Sequence, residues 1–466
     1  MPATLHGLLA TVAATALFAT GCGSDGSAGV GDAASLTAAL EAAVAGDEIR
    51  VGPVTIVGAF TVPAGVSIVG AGPTTVIAAT EGGTAITVTG GTPMTRVASM
   101  TVQANGGVGI LGRSGASVGL EDLLVDVRKG IGIGAEDIGS LTIGRVHVRG
   151  TVTPDNAIAI PLDPRPADFS THGIVLVRVG SAVANTVDVD GFAVAGTLLV
   201  DTATVWNGGS SSNNRGTGLF VDGGNADLTS VRLCGSIMGG GLMPSYASVL
   251  SGGADVLTTG LEVCDGEGYG ILQSEARATH TNLTVSNMTE AGVWVQSSDR
   301  FELSGAASHI AGNRVAGIFI VQSSNVTVSD ALIERTRNGT RITGDLGAIQ
   351  VGDGVQLVDS TSSVALTGLR FVDNDRVGVL LDVGTGSTDS VSLSGISVSG
   401  VGTALGAIAQ GTTVVPGWDT GVARAGVTVA NDAAFAGRLG IAGIVSPTDL
   451  PRADNIRTMG LDALTM

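Results

Sequence analysis

Residues 270–295 read GILQSEARATHTNLTVSNMTEAGVWV, so that Gly270-Ile271-Leu272-Gln273 is answered 22 residues later by Gly292-Val293-Trp294-Val295. The phrase, a glycine leading into a short run with apolar residues at its first and third places, recurs along the chain. Upstream it stands as Gly107-Val108-Gly109-Ile110, Gly130-Ile131-Gly132-Ile133, Gly173-Ile174-Val175-Leu176 and Gly218-Leu219-Phe220-Val221. Downstream it stands as Gly317-Ile318-Phe319-Ile320 and Gly378-Val379-Leu380-Leu381. Several intervals are 22 or 23 residues (107 to 130, 173 to 196, 196 to 218, 218 to 241, 270 to 292), and longer ones leave room for loops. Between phrases lie further apolar pieces, such as Val326-Thr327-Val328 followed by Ala331-Leu332-Ile333. Short β-branched runs bounded by Gly, Asn, Ser or Asp read as strands. A single turn of three short strands cannot bury a face, but stacked turns can. The period predicts a parallel β-solenoid. Helical repeats are excluded, because no window beyond the N-terminus sustains an i, i+3, i+4, i+7 apolar pattern.

Composition agrees. Of 466 residues, 73 are glycine; 44% are hydrophobic, 14% charged and 3% aromatic. A disordered chain would be less apolar and more charged, and collagen would need glycine at every third place. Basic residues number 23 against 41 acidic ones, a net charge of −18, and Lys129 is the only lysine. Without a basic patch to neutralise phosphates, nucleic acid is excluded as a partner.

The chain enters the repeat through Asp32 to Gly46, with Leu36, Leu40 and Val44 at i, i+4 and i+8. That spacing predicts a one-faced helix with Ser35 as N-cap and Gly46 beyond its end, covering the open first coil. Gly46-Asp47-Glu48-Ile49-Arg50-Val51 and Val62-Pro63-Ala64-Gly65-Val66-Ser67-Ile68-Val69-Gly70-Ala71-Gly72 follow. This stretch resembles the start of right-handed parallel β-helix proteins of the pectin-lyase-like superfamily. The resemblance covers residues from about 32 to 410 and implies an all-β, single-stranded right-handed β-helix with a short N-terminal capping helix. It implies little about activity, since that superfamily holds lyases, hydrolases, esterases, phage tailspikes and non-enzymatic surface proteins. Residues 151–170, with Pro154, Pro161, Pro164 and Pro166, read as a lateral loop, and residues 411–466 as a tail or cap.

Residues 1–21 read as a signal peptide with an apolar run from Leu8 to Thr20, too short for a comfortable membrane span. Ala19-Thr20-Gly21-Cys22 resembles a bacterial lipobox, which implies lipid modification of Cys22. Residues 22–31 then form a flexible tether. The expectation is export to a bacterial outer membrane or cell surface as a lipoprotein, and otherwise to the periplasm or medium. The lipid anchor would be the only contact with membrane.

Catalytic signatures of the superfamily are missing. Asn185-Thr186-Val187-Asp188 breaks an Asn-Thr-Asp, Thr171-His172-Gly173 lacks the first glycine of a Gly-His-Gly, and Arg341-Ile342-Thr343 lacks the lysine of an Arg-Ile-Lys. No adjacent Asp pair exists. The remaining oxygen-rich set is Asp353, Asp373, Asn374, Asp375 and Asp382, a candidate Ca²⁺ site if successive coils stack its members. Against that, Asp and Asn are ordinary turn residues. The histidines at 147, 172, 280 and 309 stand at no metal-ligand spacing. Cys234 and Cys264 each follow an alternating apolar triplet, which gives them one station on neighbouring coils. Coils about 4.8 Å apart would permit a disulfide; two small residues in a ladder would look the same.

The second place after each repeat glycine should point out of the solenoid if the first and third fill it. That row reads Phe220, Met243, Leu272, Trp294, Phe319, Ile349, Leu380 and Ile408, with Gly109 and Gly132 earlier. A solvated row should be polar. The stripe is therefore either covered, by residues 411–466 or 151–170, or an interaction face on which Phe220, Trp294 and Phe319 bind a sugar or a partner chain. Two functions follow: an envelope-anchored β-helix with a binding or structural role towards a polysaccharide or envelope protein, or a divergent polysaccharide lyase or glycoside hydrolase. The missing signatures lean against an enzyme.

Overall fold

The computed structural model describes residues 30–161, 163–237, 245–343, 347–358, 362–382 and 391–399. Beyond these it describes 407–410, 422–425 and 429–431 in backbone, and residue 464. The chain forms a parallel β-solenoid of about a dozen coils. Each coil contributes strands to three stacks, and each strand pairs in parallel with its counterparts one coil below and above. In the first stack Ala195–Val200, Thr217–Asp222, Ser245–Ser251, Gly268–Ser274, Val293–Gln296 and Val315–Val321 follow one another in register. The second stack runs through Asn225–Thr229, Asp255–Thr259, Arg277–Thr281 and Arg300–Ser304. The third runs through Arg232–Cys234, Glu262–Cys264, Thr284–Ser286 and His309–Ala311. Thr95–Arg149 stays extended around the corners, pairing with Ser67–Gly70, Val76–Ala78 and Ile86–Gly90 below and with Ser170–Val177 and Ala182–Asp190 above.

Corners are made by residues in the left-handed region. Between the second and third stacks stand Ser230 and Gly260; after the third stand Asn213, Gly235, Asp265, Asn287, Gly312, Arg335 and Asp373, all with positive φ. Asn, Asp and Gly tolerate this backbone best, so the turn-residue richness of the sequence is the corner chemistry of a solenoid. One place inside that corner, Asn214, Asn313 and Asn374 are buried. Their side-chain oxygens accept from the backbone N–H of Phe192, Met288 and Thr336 in the preceding coil at 3.0, 3.0 and 2.9 Å. Each amide closes a corner that would otherwise hold an unpaired donor.

The repeat glycine has a steric cause. A Cβ on Gly132, Gly173, Gly196, Gly317 or Gly354 would come within 2.5–2.7 Å of the carbonyl oxygen of the same station one coil on. At Gly173 it would also meet Val189 Cγ1 at 2.3 Å and Phe192 Cε2 at 2.9 Å. The ladder runs through Gly109, Gly132, Gly173, Gly196, Gly218, Gly270, Gly292, Gly317, Gly354 and Gly378, with Ala247 in one coil. Its phase differs from the sequence reading in four coils. Gly109 and Gly132, not Gly107 and Gly130, hold the station; Ala247 replaces Gly241, and Gly354 replaces Gly347. Gly347 instead opens the second arm of an antiparallel hairpin, Gly339–Thr343 against Gly347–Val351.

The N-terminal helix spans Ala33–Ala42 and buries Leu36 and Leu40. Asp32, rather than Ser35, is its N-cap: the Ser35 N–H donates to Asp32 Oδ1 at 2.8 Å, and the Asp32 N–H donates to Ser35 Oγ at 3.2 Å. Val44 lies past the helix end and is exposed, so the buried face is one residue shorter than the spacing suggested. No helix among the described residues is long and apolar enough to cross a membrane.

Candidate functional site

In the second stack, burial alternates along the strands, as in Asn225–Thr229 and Arg277–Thr281. The first stack behaves differently. Ser170–Val177, Ala195–Val200, Thr217–Asp222 and Val315–Val321 are buried at every position. Strands buried on both faces read as near-continuous apolar runs, and the unbroken apolar phrases are that signature. Alternate residues belong to two clusters: Ile318 and Ile320 lie in the central core, while Phe319 lies in a second cluster on the outside of the stack.

The outward row is Val175, Leu198, Phe220, Val249, Leu272, Trp294, Phe319, Gln356 and Leu380. Val249 stands where Met243 was expected and Gln356 where Ile349 was expected, in keeping with the corrected glycine phase. Met243 lies outside the described residues, and Ile349 pairs with Arg341 in the antiparallel hairpin. Before them, Leu111 and Gly134 hold the station, not Gly109 and Gly132. Phe220, Trp294 and Phe319 do face out of the solenoid, but they are 1%, 4% and 2% exposed, so the stripe is not a free surface.

Sequence reasoning missed the neighbouring row, three residues earlier on the same strands. There Tyr246 stacks on Tyr269 at 5.6 Å between ring centroids, Tyr269 tilts against Trp294 at 4.9 Å, and Trp294 meets Phe319 edge-on at 5.7 Å. This aromatic ladder spans four successive coils and holds both tyrosines of the chain. Tyrosine immediately before the repeat station was the available signal. At the far end of the face, Asp353 is fully buried. It accepts from Arg376 Nε at 2.8 Å and from Gln356 Nε2 at 2.9 Å. Burial pushes its carboxyl above the usual range, against the pull of Arg376.

The candidate Ca²⁺ set is not brought together. Asp353 is held by Arg376; Asp373 and Asp375 flank a corner and pair with Arg337 at 3.3 and 3.1 Å. Asn374 points inward as a corner amide, with its Nδ2 donating to the Ile333 carbonyl at 3.1 Å. Asp382 pairs in register with Val358, five places along the strand from Asp353, or about 16 Å at the usual rise; its side chain lies outside the described residues. Asp353 stands six places after Gly347, but Gly347 belongs to the hairpin and Gly354 holds the ladder station, so Asp353 and Asp382 fall at different stations.

Cys234 pairs in register with Cys264, with Cα atoms 4.5 Å apart, and the two form a disulfide. With Glu262 they are the group of potential metal ligands found among the described residues, and both sulfurs are already bonded to each other. Several other charged groups tie coil to coil. Arg145 holds Asp122 at 2.6 Å and Glu121 at 2.8 Å; Arg178 holds Asp137 at 2.8 Å; Arg300 holds Asp255 at 2.7 Å. Hydrogen bonds from Arg96 and Arg145 keep Glu121 below the ordinary carboxylate range. His147 bonds Asp190 at 2.6 Å, which raises its pKa, and His309 meets Glu334 at 3.2 Å. His172 is buried on the outward face and His280 in the solenoid interior. Cys22 lies outside the described residues.

The family model described as "right handed beta helix region" matches residues 213–413, which cover the coils of the aromatic ladder and the Asp353 pair. The protein is a right-handed parallel β-helix. No curated protein matches its sequence. Among solved structures, the β-helix is similar to the mannuronan C-5 epimerase A-module of Azotobacter vinelandii, at 15% identity over 85% of this chain and 95% of that one, TM-score 0.36. It is also similar to the enzymatically active domain of bacteriophage CBA120 tailspike protein 2, at 12% identity over 78% of this chain and 48% of that one, TM-score 0.41. An alginate lyase from Paenibacillus sp. is similar at 13% identity over 86% and 96%, TM-score 0.27.

Proposed function

We propose that this β-helix is an exported, envelope-anchored protein with a structural or binding role towards a polysaccharide or an envelope partner. The observation that carries the reading is how the acids are used. Glu121, Asp122, Asp137, Asp255, Asp353, Asp373 and Asp375 each sit against an arginine, most of them on a neighbouring coil. Glycoside hydrolysis needs two carboxyl groups about 5–10 Å apart, with one free to give a proton and the other to attack or activate water. Carboxylates committed to arginines serve cohesion instead. Such pairs are individually weak on a surface, but several of them along the solenoid together support the stacking register.

Anchoring rests on Cys22 and the glycine-serine tether after it. A lipid on the mature N-terminus would hold the capped first coil near the membrane and leave the sides of the solenoid facing outward. Cys22→Ala is expected to move the protein from the membrane pellet to the soluble fraction of fractionated cells, leaving its fold unchanged. A variant that stays in the pellet, or a parent protein already soluble, would show the lipobox reading to be wrong.

A further inference from the structure

We propose that the outward face of the first stack is the docking site of the chain's own C-terminal segment, residues 432–463, which runs back along the solenoid from its last coil to its early ones.

Three observations carry this. First, both ends of the segment are placed on this one stack. Val429–Asn431 pairs with Ala407–Gln410, which extends the stack beyond Val379–Asp382. Leu464, 33 residues further on, is 2% exposed and belongs to the same cluster as Phe220, Trp294 and Phe319. Its Cδ2 occupies the place a Cβ on Gly134 would take, at 2.3 Å from that position, beside Leu111, and its carbonyl accepts from Arg113 Nη2 at 3.0 Å. Second, the distance is within reach. The register from Gly134 through Val175, Phe220, Trp294 and Phe319 to Ala430 climbs eleven coil steps. At about 4.8 Å per step that is roughly 53 Å, while 32 residues span up to about 105 Å when extended. Third, the outward row from Val175 to Leu380 is buried throughout, with both ends at 0%, and is apolar apart from Gln356. The lateral loop serves another place. Ala157 and Ile160 pack with Ala193 and Ile237 in a separate cluster, and Pro161 accepts from Arg215 there.

Gly134 fits this arrangement. It is the one outward station in the row without a side chain, and the gap it leaves is filled by Leu464.

The test uses tryptophan. The chain has three, at 206, 294 and 418, so Trp206→Phe with Trp418→Phe leaves Trp294 as sole reporter in the aromatic ladder. In the full chain Trp294 should resist acrylamide. Ending the chain at residue 431 should raise the quenching constant several-fold and red-shift emission while the far-ultraviolet β signal persists, and adding the peptide 432–466 should restore shielding. A folded truncated protein in which Trp294 stays equally shielded would overturn the proposal. Should the truncated chain not fold, a benzophenone side chain at position 269 of the full chain decides. Photo-crosslinks to peptides within 432–463 are expected; crosslinks confined to 151–170 or to the 339–351 hairpin, or none, would overturn it.

Discussion

Gly173→Val is expected to destabilise the protein by about 3 kcal/mol or more, the upper range for overpacking a filled core. A methyl alone at this position would meet Val189, the Gly196 carbonyl and Phe192 at 2.3, 2.5 and 2.9 Å. Two of the three contacts are with core side chains and the third is with backbone, so no rotamer change relieves them together. Gly144 is the control. Its Cβ would meet nothing nearer than 3.9 Å, so Gly144→Ala should change stability by under about 1 kcal/mol. Urea unfolding midpoints measure both. Equal losses at the two sites would mean that the repeat glycines are not a close-approach ladder.

The second large effect is on acid stability. His280 is fully buried in the solenoid interior, tilts against Phe301 at 5.7 Å, and shares a hydrogen bond of 2.8 Å with Thr258 Oγ1. Desolvation lowers its pKa to about 4, against about 6.5 for an exposed histidine. The folded state therefore resists a proton that the unfolded chain accepts. Stability contributed by the neutral ring is complete above about pH 6.5 and is lost as pH falls towards 4, to a total of about 3 kcal/mol. His280→Leu should remove that part of the pH dependence, because its coil neighbour in register is Leu303 and an apolar side chain fits the stack. His147 titrates with the opposite sign, since Asp190 raises it; the difference between parent and variant cancels it. A parent and a variant whose stabilities fall in parallel between pH 6.5 and 4 would show that His280 protonates without penalty.

Much of the fold was legible because its causes are local. Ladder glycines, β-branched triplets and Asn or Asp corners each answer a steric demand repeated once per coil. Phase was harder to read, because glycine serves two purposes. Gly130 has φ +93° and turns a corner, while Gly132 two places on belongs to the ladder. In sequence the two look alike. The same ambiguity misplaced Met243 and Ile349 in the outward row and drew Asp353 towards Asp382. The disulfide partners were legible as a shared station on neighbouring coils. The aromatic ladder was not, because Tyr246 and Tyr269 stand before the glycine station, in a row that reads Ala195, Thr217, Ala291 and Ala316 elsewhere. What covers an apolar row depends on chain far away in sequence, and no local pattern encodes it.

The solenoid's carboxylates are either cohesive or catalytic, and one measurement decides between them. Purified protein incubated with a panel of acidic polysaccharides, with bound polymer and unsaturated or newly reducing ends read from the same samples, separates the two. We expect polymer retained on the protein and no new chain ends with any substrate. Accumulating unsaturated products or reducing ends, abolished by Asp353→Asn, would contradict it.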